Sequence, residues 1–312
     1  MTGIQHQAES WTSEMRAEQS GLNLGADLGP ADPTAFTQRR PIPQPVPLDR
    51  HGPARIIAMA NQKGGVGKTT STINLGAALA EYGRRVLLVD FDPQGALSVG
   101  LGVNPHNLDM SIYNLLMDSN CTIDDILIKT DVAGLHLLPA NIDLSAAEIQ
   151  LVNEVAREMA LARLLRPVRN EYDFVLIDCQ PSLGLLALNA LTCAHGVLIP
   201  LECEFFSLRG VALLLDTIDK VRERLNFDLE LEGILATMYD SRTLHSREVL
   251  MRVVDRFGDK VFHTVISRTV RFPDATVAGE PITSFDPASN GASSYRQLAK
   301  EVLERWRQAG RG

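Results

Sequence analysis

The 312-residue sequence is poor in aromatic residues, at 5%, and in cysteine, of which it has four. Nowhere does it hold about 18 uninterrupted apolar residues, the length that a membrane-crossing helix needs. Cys121, Cys179, Cys193 and Cys203 form no CxxC pair and have no histidine clamp beside them. That spacing excludes a zinc ribbon or a disulfide framework and fits the reduced thiols of a cytoplasm. The first twenty residues carry no apolar run, so no signal peptide is expected. Positive charge is also in deficit, with 30 Lys and Arg against 38 Asp and Glu for a formal net charge of −8. A polyanion could therefore be held only by a local basic patch. What the chain does have is 45% hydrophobic residues, enough for a sizeable core at this length.

Seven of the sixteen prolines fall within residues 1–53, several of them in the alternating stretch from Pro41 to Pro47. Such a segment is extended and builds no helix, which predicts a disordered tail and spacer over 1–53 ahead of one domain over 54–312. Whether the tail also docks a partner stays open at this level.

From Arg55 onward, short apolar runs alternate with amphipathic ones, the pattern of an α/β fold with a mostly parallel sheet covered by helices on both faces. Strands are predicted at 56–60, 86–90, 135–139, 174–178, 196–200, 231–238 and 261–266. Helices are predicted at 69–82, 146–165, 183–194, 208–225, 246–257 and 293–308.

The segment Asn61-Gln62-Lys63-Gly64-Gly65-Val66-Gly67-Lys68-Thr69-Thr70 lies between the first strand and the first helix. Strand, glycine-rich turn and helix are the setting of a phosphate-binding P-loop. Glycines let successive N–H groups converge on phosphate, and the helix start adds its positive dipole end. Lys68 can then reach the β- and γ-phosphates of ATP and Thr69 can offer a hydroxyl to Mg²⁺. The second lysine, Lys63, is by spacing alone either a phosphate ligand or a solvated charge.

Two further strand ends carry carboxylates. One is Asp90-Phe91-Asp92-Pro93-Gln94-Gly95 and the other is Ile177-Asp178-Cys179-Gln180-Pro181. Ligands in open α/β sheets sit at such ends. Asp178 has the position of a Walker B carboxylate, near Mg²⁺ through a water. Without the P-loop, Asp90 and Asp92 would read equally well as helix caps.

Lys63-Gly64-Gly65-Val66-Gly67-Lys68-Thr69-Thr70 resembles the deviant Walker A motif of the ParA/MinD group, and the chain from Arg55 to about Trp306 is similar to ParA/Soj-type partition ATPases. The resemblance implies an ATP-dependent homodimer in which Lys63 crosses to the partner's phosphates and Gly64 permits the close approach. It implies that Asp92 orients the attacking water and that Asp90 supports the loop or the outer shell of Mg²⁺. It places adenine beside Met238 and Ser267, sequence-independent double-stranded DNA on Arg242, Arg271 and Arg268, and a ParB-like partner that stimulates slow hydrolysis. A nucleoid-associated protein is expected. Gln180, Phe205, Phe206, Ser267 and Glu280 depart from the usual pattern.

Residues 242–271 hold seven basic residues against three acidic ones, a local patch on an acidic chain. Arg247, Arg252 and Arg256 at helical spacing also fit a solvated face. No base-reading module is visible, so only backbone contacts with DNA are expected. The alternative is a MinD-like or orphan paralogue that positions a protein or membrane cargo without DNA. The mixed charge of residues 295–307 argues against a membrane helix. An iron–sulfur reductase would need subunit-bridging cysteines that neither Cys121 nor Cys179 supplies.

Overall fold

The computed structural model describes Phe36, residues 42–204 and residues 207–308, except for the side chains of residues 207–209. The strands are β1 (Arg55–Met59), β2 (Val86–Phe91), β3 (Ile128–Lys129), β4 (Leu135–Leu138), β5 (Phe174–Cys179), β6 (Gly196–Glu202) and β7 (Glu230–Thr237). They form one sheet in the order β3-β4-β2-β5-β1-β6-β7. Every described neighbour pair is parallel except β3 with β4. The apolar runs at 56–59, 86–89 and 174–177 are what a sheet covered on both faces demands.

Alternate residues of these strands feed two cores, as the period-two pleat requires. Ile56, Ala58, Leu87, Val89, Val175 and Ile177 pack on one face with the helices at Ile112–Met117, Leu185–Cys193 and Ser207–Arg224. Ile57, Met59, Val86, Leu88, Phe174 and Leu176 pack on the other, against the P-loop helix Lys68–Glu81 and the terminal helix Asn290–Gln308. The expected α/β architecture is therefore the one observed.

Two predicted elements differ. The run 261–266 forms no continuous strand: Phe262 and Ile266 donate to Ile234 O and Ala236 O of β7, but the pairing amounts only to isolated bridges, Ile234 with Val261 and Tyr239 with Ser267. The cause is a competing acceptor, because the buried Glu301 carboxylate of the terminal helix takes the His263 and Thr264 N–H groups at 2.9 and 2.8 Å. The predicted helix 146–165 is broken into Leu144–Gln150, two 3-10 turns and Ala160–Leu165, with Ala156 at φ 53° in the break. Asn189 from the next helix satisfies the exposed backbone, accepting from Leu161 N and donating to Arg157 O.

Residues 42–53 run along the domain. His51 Nδ1 and Gly52 N both meet the Asp173 carboxylate, at 2.8 and 3.0 Å. Val46 O accepts from Arg84 at 2.9 Å, and the Phe36 ring lies 4.8 Å from that of His263. The rest of the 1–53 segment lies outside the described residues.

Candidate nucleotide site

The sheet register brings the functional strand ends together. β5 lies between β2 and β1, with Asp178 opposite Asp90 on one side and Met59 on the other. The loop leaving β1 at Ala60 therefore starts beside both carboxylates. Gly65 and Gly67 have φ of 75° and 85°, a left-handed conformation that glycine adopts freely and that curls the loop into the helix starting at Lys68.

Side chains pin this loop from two strands. Asn61 accepts from Lys63 N at 2.9 Å and donates to Pro200 O at 2.7 Å. Thr237 at the end of β7 donates to Val66 O at 2.8 Å. On the outer face, a Cβ built on Gly64 or Gly65 would meet nothing within 4 Å, so that face is open to an approaching group.

Lys68 is buried, and its ammonium donates to Lys63 O at 3.2 Å. Burial lowers its pKa, opposed by the nearby Asp178 and Asp92 carboxylates. Thr69 donates to Asp178 at 2.6 Å, and Thr72 reaches the other Asp178 oxygen at 3.5 Å. Burial and then the neighbouring Asp90 push the Asp178 carboxyl up to about 8, while Thr69 and Lys68 pull it down. Burial likewise pushes Asp90 up to about 6. Asp90 accepts from Ser98 N and Oγ at 2.9 and 2.7 Å, which ties the loop after β2 to its own strand. Asp92 is partly exposed and caps Gln94 N at 3.0 Å.

The Thr69 hydroxyl and the Asp178 carboxyl are oxygen donors, the ligand chemistry that suits Mg²⁺. Among the described residues no group of three or more His, Cys, Asp or Glu could hold a metal alone.

Met238 directly follows Thr237, whose side chain bonds the P-loop, and Ser267 sits opposite the next residue, Tyr239. Met238 has φ 51°, its neighbour Tyr239 bridges Ser267, and Arg268 Nη2 is 3.9 Å from the Met238 sulfur. Gln180 is held by Glu148 at 3.0 Å, so helix 144–150 anchors the turn after Asp178. Phe205 and Phe206 lie outside the described residues.

The sequence reading missed Glu202 and Glu204. Both take the Lys63 ammonium, at 2.8 and 3.0 Å. The same signal that found Asp178, a carboxylate ending an apolar strand, was present at Glu202.

The basic patch carries more partners than its charge suggests. Arg242 is 87% exposed, yet it meets Asp240 through Nε and Nη2 at 2.9 and 2.7 Å and holds that carboxyl down at about 2. Arg271, the first residue of the helix Arg271–Ala278, is 3.4 Å from Asp286 and 3.9 Å from Asp274. Arg268 meets Glu202 at 3.3 Å. Glu280 is exposed.

A parallel sheet, a glycine loop turning into a buried-lysine helix and a Thr–Asp pair at the strand ends define a P-loop nucleotide-binding protein. An AAA domain model matches residues 54–231. The chromosome-partitioning ATPase Soj of Treponema pallidum is 49% identical over 80% of this chain and 98% of its own. An uncharacterized Mycobacterium tuberculosis protein is 67% identical over 86% of this chain and 84% of its own. The crystal structure of cobyrinic acid a,c-diamide synthase from Mycobacterium smegmatis with bound ADP and magnesium matches with a TM-score of 0.73 and 46% identity, covering 82% and 96% of the two chains. The chain belongs to the ParA/Soj-type P-loop ATPases.

Proposed function

We propose that this ATPase is a partition switch. ATP and Mg²⁺ close two subunits face to face, the dimer holds DNA without reading sequence, and a ParB-like partner triggers hydrolysis and release. The observation that carries this reading is the second lysine on an open loop face. Lys63 stands beside Gly64, where nothing obstructs a facing subunit, so its charge can serve phosphates held by that subunit. Facing phosphates repel, and a lysine supplied in trans offsets that repulsion only when nucleotide is present.

For the chemical step, Lys63 and Lys68 stabilise charge on the transferring phosphoryl group and the P-loop N–H groups orient it. Thr69, and Asp178 through a water, would hold Mg²⁺, which when bound would neutralise phosphate charge. Asp92 positions water and is not required to be a strong base. Met238 and Ser267 flank adenine.

The arginines at 242, 268 and 271 are the proposed DNA contacts. Each already faces a carboxylate, so DNA phosphates compete with Asp240, Glu202 and Asp286, and binding depends steeply on salt. A membrane-positioning role is less well supported. The apolar face of the terminal helix, with Leu298 and Val302, is buried in the second core, and no described helix is long and apolar enough to cross a membrane.

Co-sedimentation with non-specific duplex DNA, in ATP–Mg²⁺ and in ADP at two salt concentrations, tests the proposal. Salt-sensitive binding with ATP alone supports it. Absence of binding despite ATP-dependent dimers would transfer the role to a protein cargo.

A further inference from the structure

Lys63, Glu202, Glu204 and Arg268 form one chain of ion pairs at the open face of the P-loop. Glu202 Oε2 takes Lys63 at 2.8 Å, while Glu202 Oε1 takes Arg268 at 3.3 Å. Glu204 adds a second carboxylate on Lys63 at 3.0 Å. The Glu202 side chain is only 11% exposed at the end of β6, whereas Glu204 is about half exposed at 49%. The lysine is therefore held within its own subunit by a fixed partner and a looser one.

Two opposed effects act on the Lys63 ammonium. Burial disfavours its charge, and the hydrogen bonds it donates to Glu202 and Glu204 outweigh that and raise its pKa. The same lysine donates a clamp to Glu204, whose carboxyl is held below its ordinary range. In this arrangement the positive charge that a facing subunit's phosphates require is already neutralised in cis.

We propose that Glu202 and Glu204 are a latch on Lys63, which must leave both carboxylates before it can serve the nucleotide of a facing subunit. This rests on the trans role of Lys63 proposed above. The latch sets a threshold: a lone subunit keeps the lysine parked, and only the concentrated charge of a bound triphosphate across the interface draws it away. Glu202 retains Arg268 when the lysine departs, so a buried carboxylate is not left without a cation, which limits the cost of release. Glu202 thereby links the dimerisation lysine to an arginine on the proposed DNA face, and the two functions share one acceptor.

The test uses full-length protein in the Asp92→Ala background, which preserves ATP, with Glu202→Gln or Glu204→Gln added. Sedimentation velocity in ATP–Mg²⁺ reads the dimer dissociation constant. Removing one partly screened carboxylate should tighten the dimer roughly two- to fivefold in each variant. An unchanged or weaker dimer in either folded variant overturns the latch while leaving ATP-driven dimerisation in place. A parent protein that stays monomeric in ATP overturns the trans-lysine reading, and the latch with it. Should Glu202→Gln fail to fold, Glu204→Gln at its half-exposed position decides the question alone.

Discussion

Thr69 donates its hydroxyl to Asp178 at 2.6 Å, joining the first turn of the P-loop helix to the end of β5. The acceptor is fully buried opposite Asp90, and its carboxyl titrates at about 8 against an ordinary 3.8. A carboxyl raised in the folded state binds a proton that the unfolded chain has already released. Its contribution to stability is complete below about pH 4 and disappears as pH rises through about 8. Asp178→Asn keeps the Thr69 acceptor and removes the charge. In the absence of nucleotide, the variant should melt about 5 °C above the parent at pH 8.5, with the difference narrowing toward pH 5. Parallel melting curves across that range would show that Asp178 is not strained by burial. The same variant should lose Mg²⁺-dependent nucleotide affinity, so stability and function move in opposite directions.

Asp92 is placed differently. It is partly exposed and its side chain accepts from the nearby Gln94 N, so its removal should leave the fold intact. Asp92→Ala should lower ATP turnover about 100-fold, the usual worth of positioning a reacting water, with nucleotide affinity retained. Loss of binding together with turnover, read by fluorescent nucleotide titration, would mean that Asp92 supports the loop instead.

The sheet and the phosphate loop were legible because both rest on local signals. Apolar runs ending in Asp90 and Asp178 declare buried strands, and consecutive glycines before Lys68 declare a turn with converging amides. What was not legible depended on distant partners. The run 261–266 is apolar enough for a strand, but Glu301, far along the chain, takes the His263 and Thr264 N–H groups in its middle. The helix broken near Ala156 depends on Asn189 to satisfy its backbone. Glu202 and Glu204 likewise gain meaning only from Lys63, about 140 positions earlier. Charge counting found the patch at 242–271 but could not show that Arg242, Arg268 and Arg271 each have a carboxylate beside them.

Gly279 ends the helix that begins at Arg271, and it has φ 73°. A Cβ there would stand 2.7 Å from Gly102 Cα and 2.9 Å from Gly102 N, both backbone atoms that cannot rotate aside. Gly279→Ala thus meets an unfavourable φ and a steric clash at once, and it should cost about 2–4 kcal/mol. Urea unfolding is the measurement, and a loss under about 1 kcal/mol would mean that the Gly102–Gly279 contact opens readily. Because the same helix presents Arg271, DNA binding should weaken in parallel.

Arg242 offers the sharpest test of the DNA reading, because its carboxylate partner can be removed without touching the arginine. The pair is two residues apart, bidentate and exposed, so it contributes little to stability. A DNA phosphate approaching Arg242 must nevertheless displace Asp240 or tolerate its negative charge. Asp240→Asn should therefore raise the affinity of the ATP-bound protein for non-specific duplex DNA about threefold at low salt, with melting temperature unchanged. Arg242→Glu should lower affinity at least tenfold and reduce the slope of log affinity against log salt by about one contact. If Asp240→Asn and Arg242→Glu both leave DNA affinity unaltered, Arg242 is a solvated ion pair and the DNA surface lies elsewhere. Opposite shifts of the two variants, at equal stability, would put DNA phosphate within a Debye length of the Asp240–Arg242 pair.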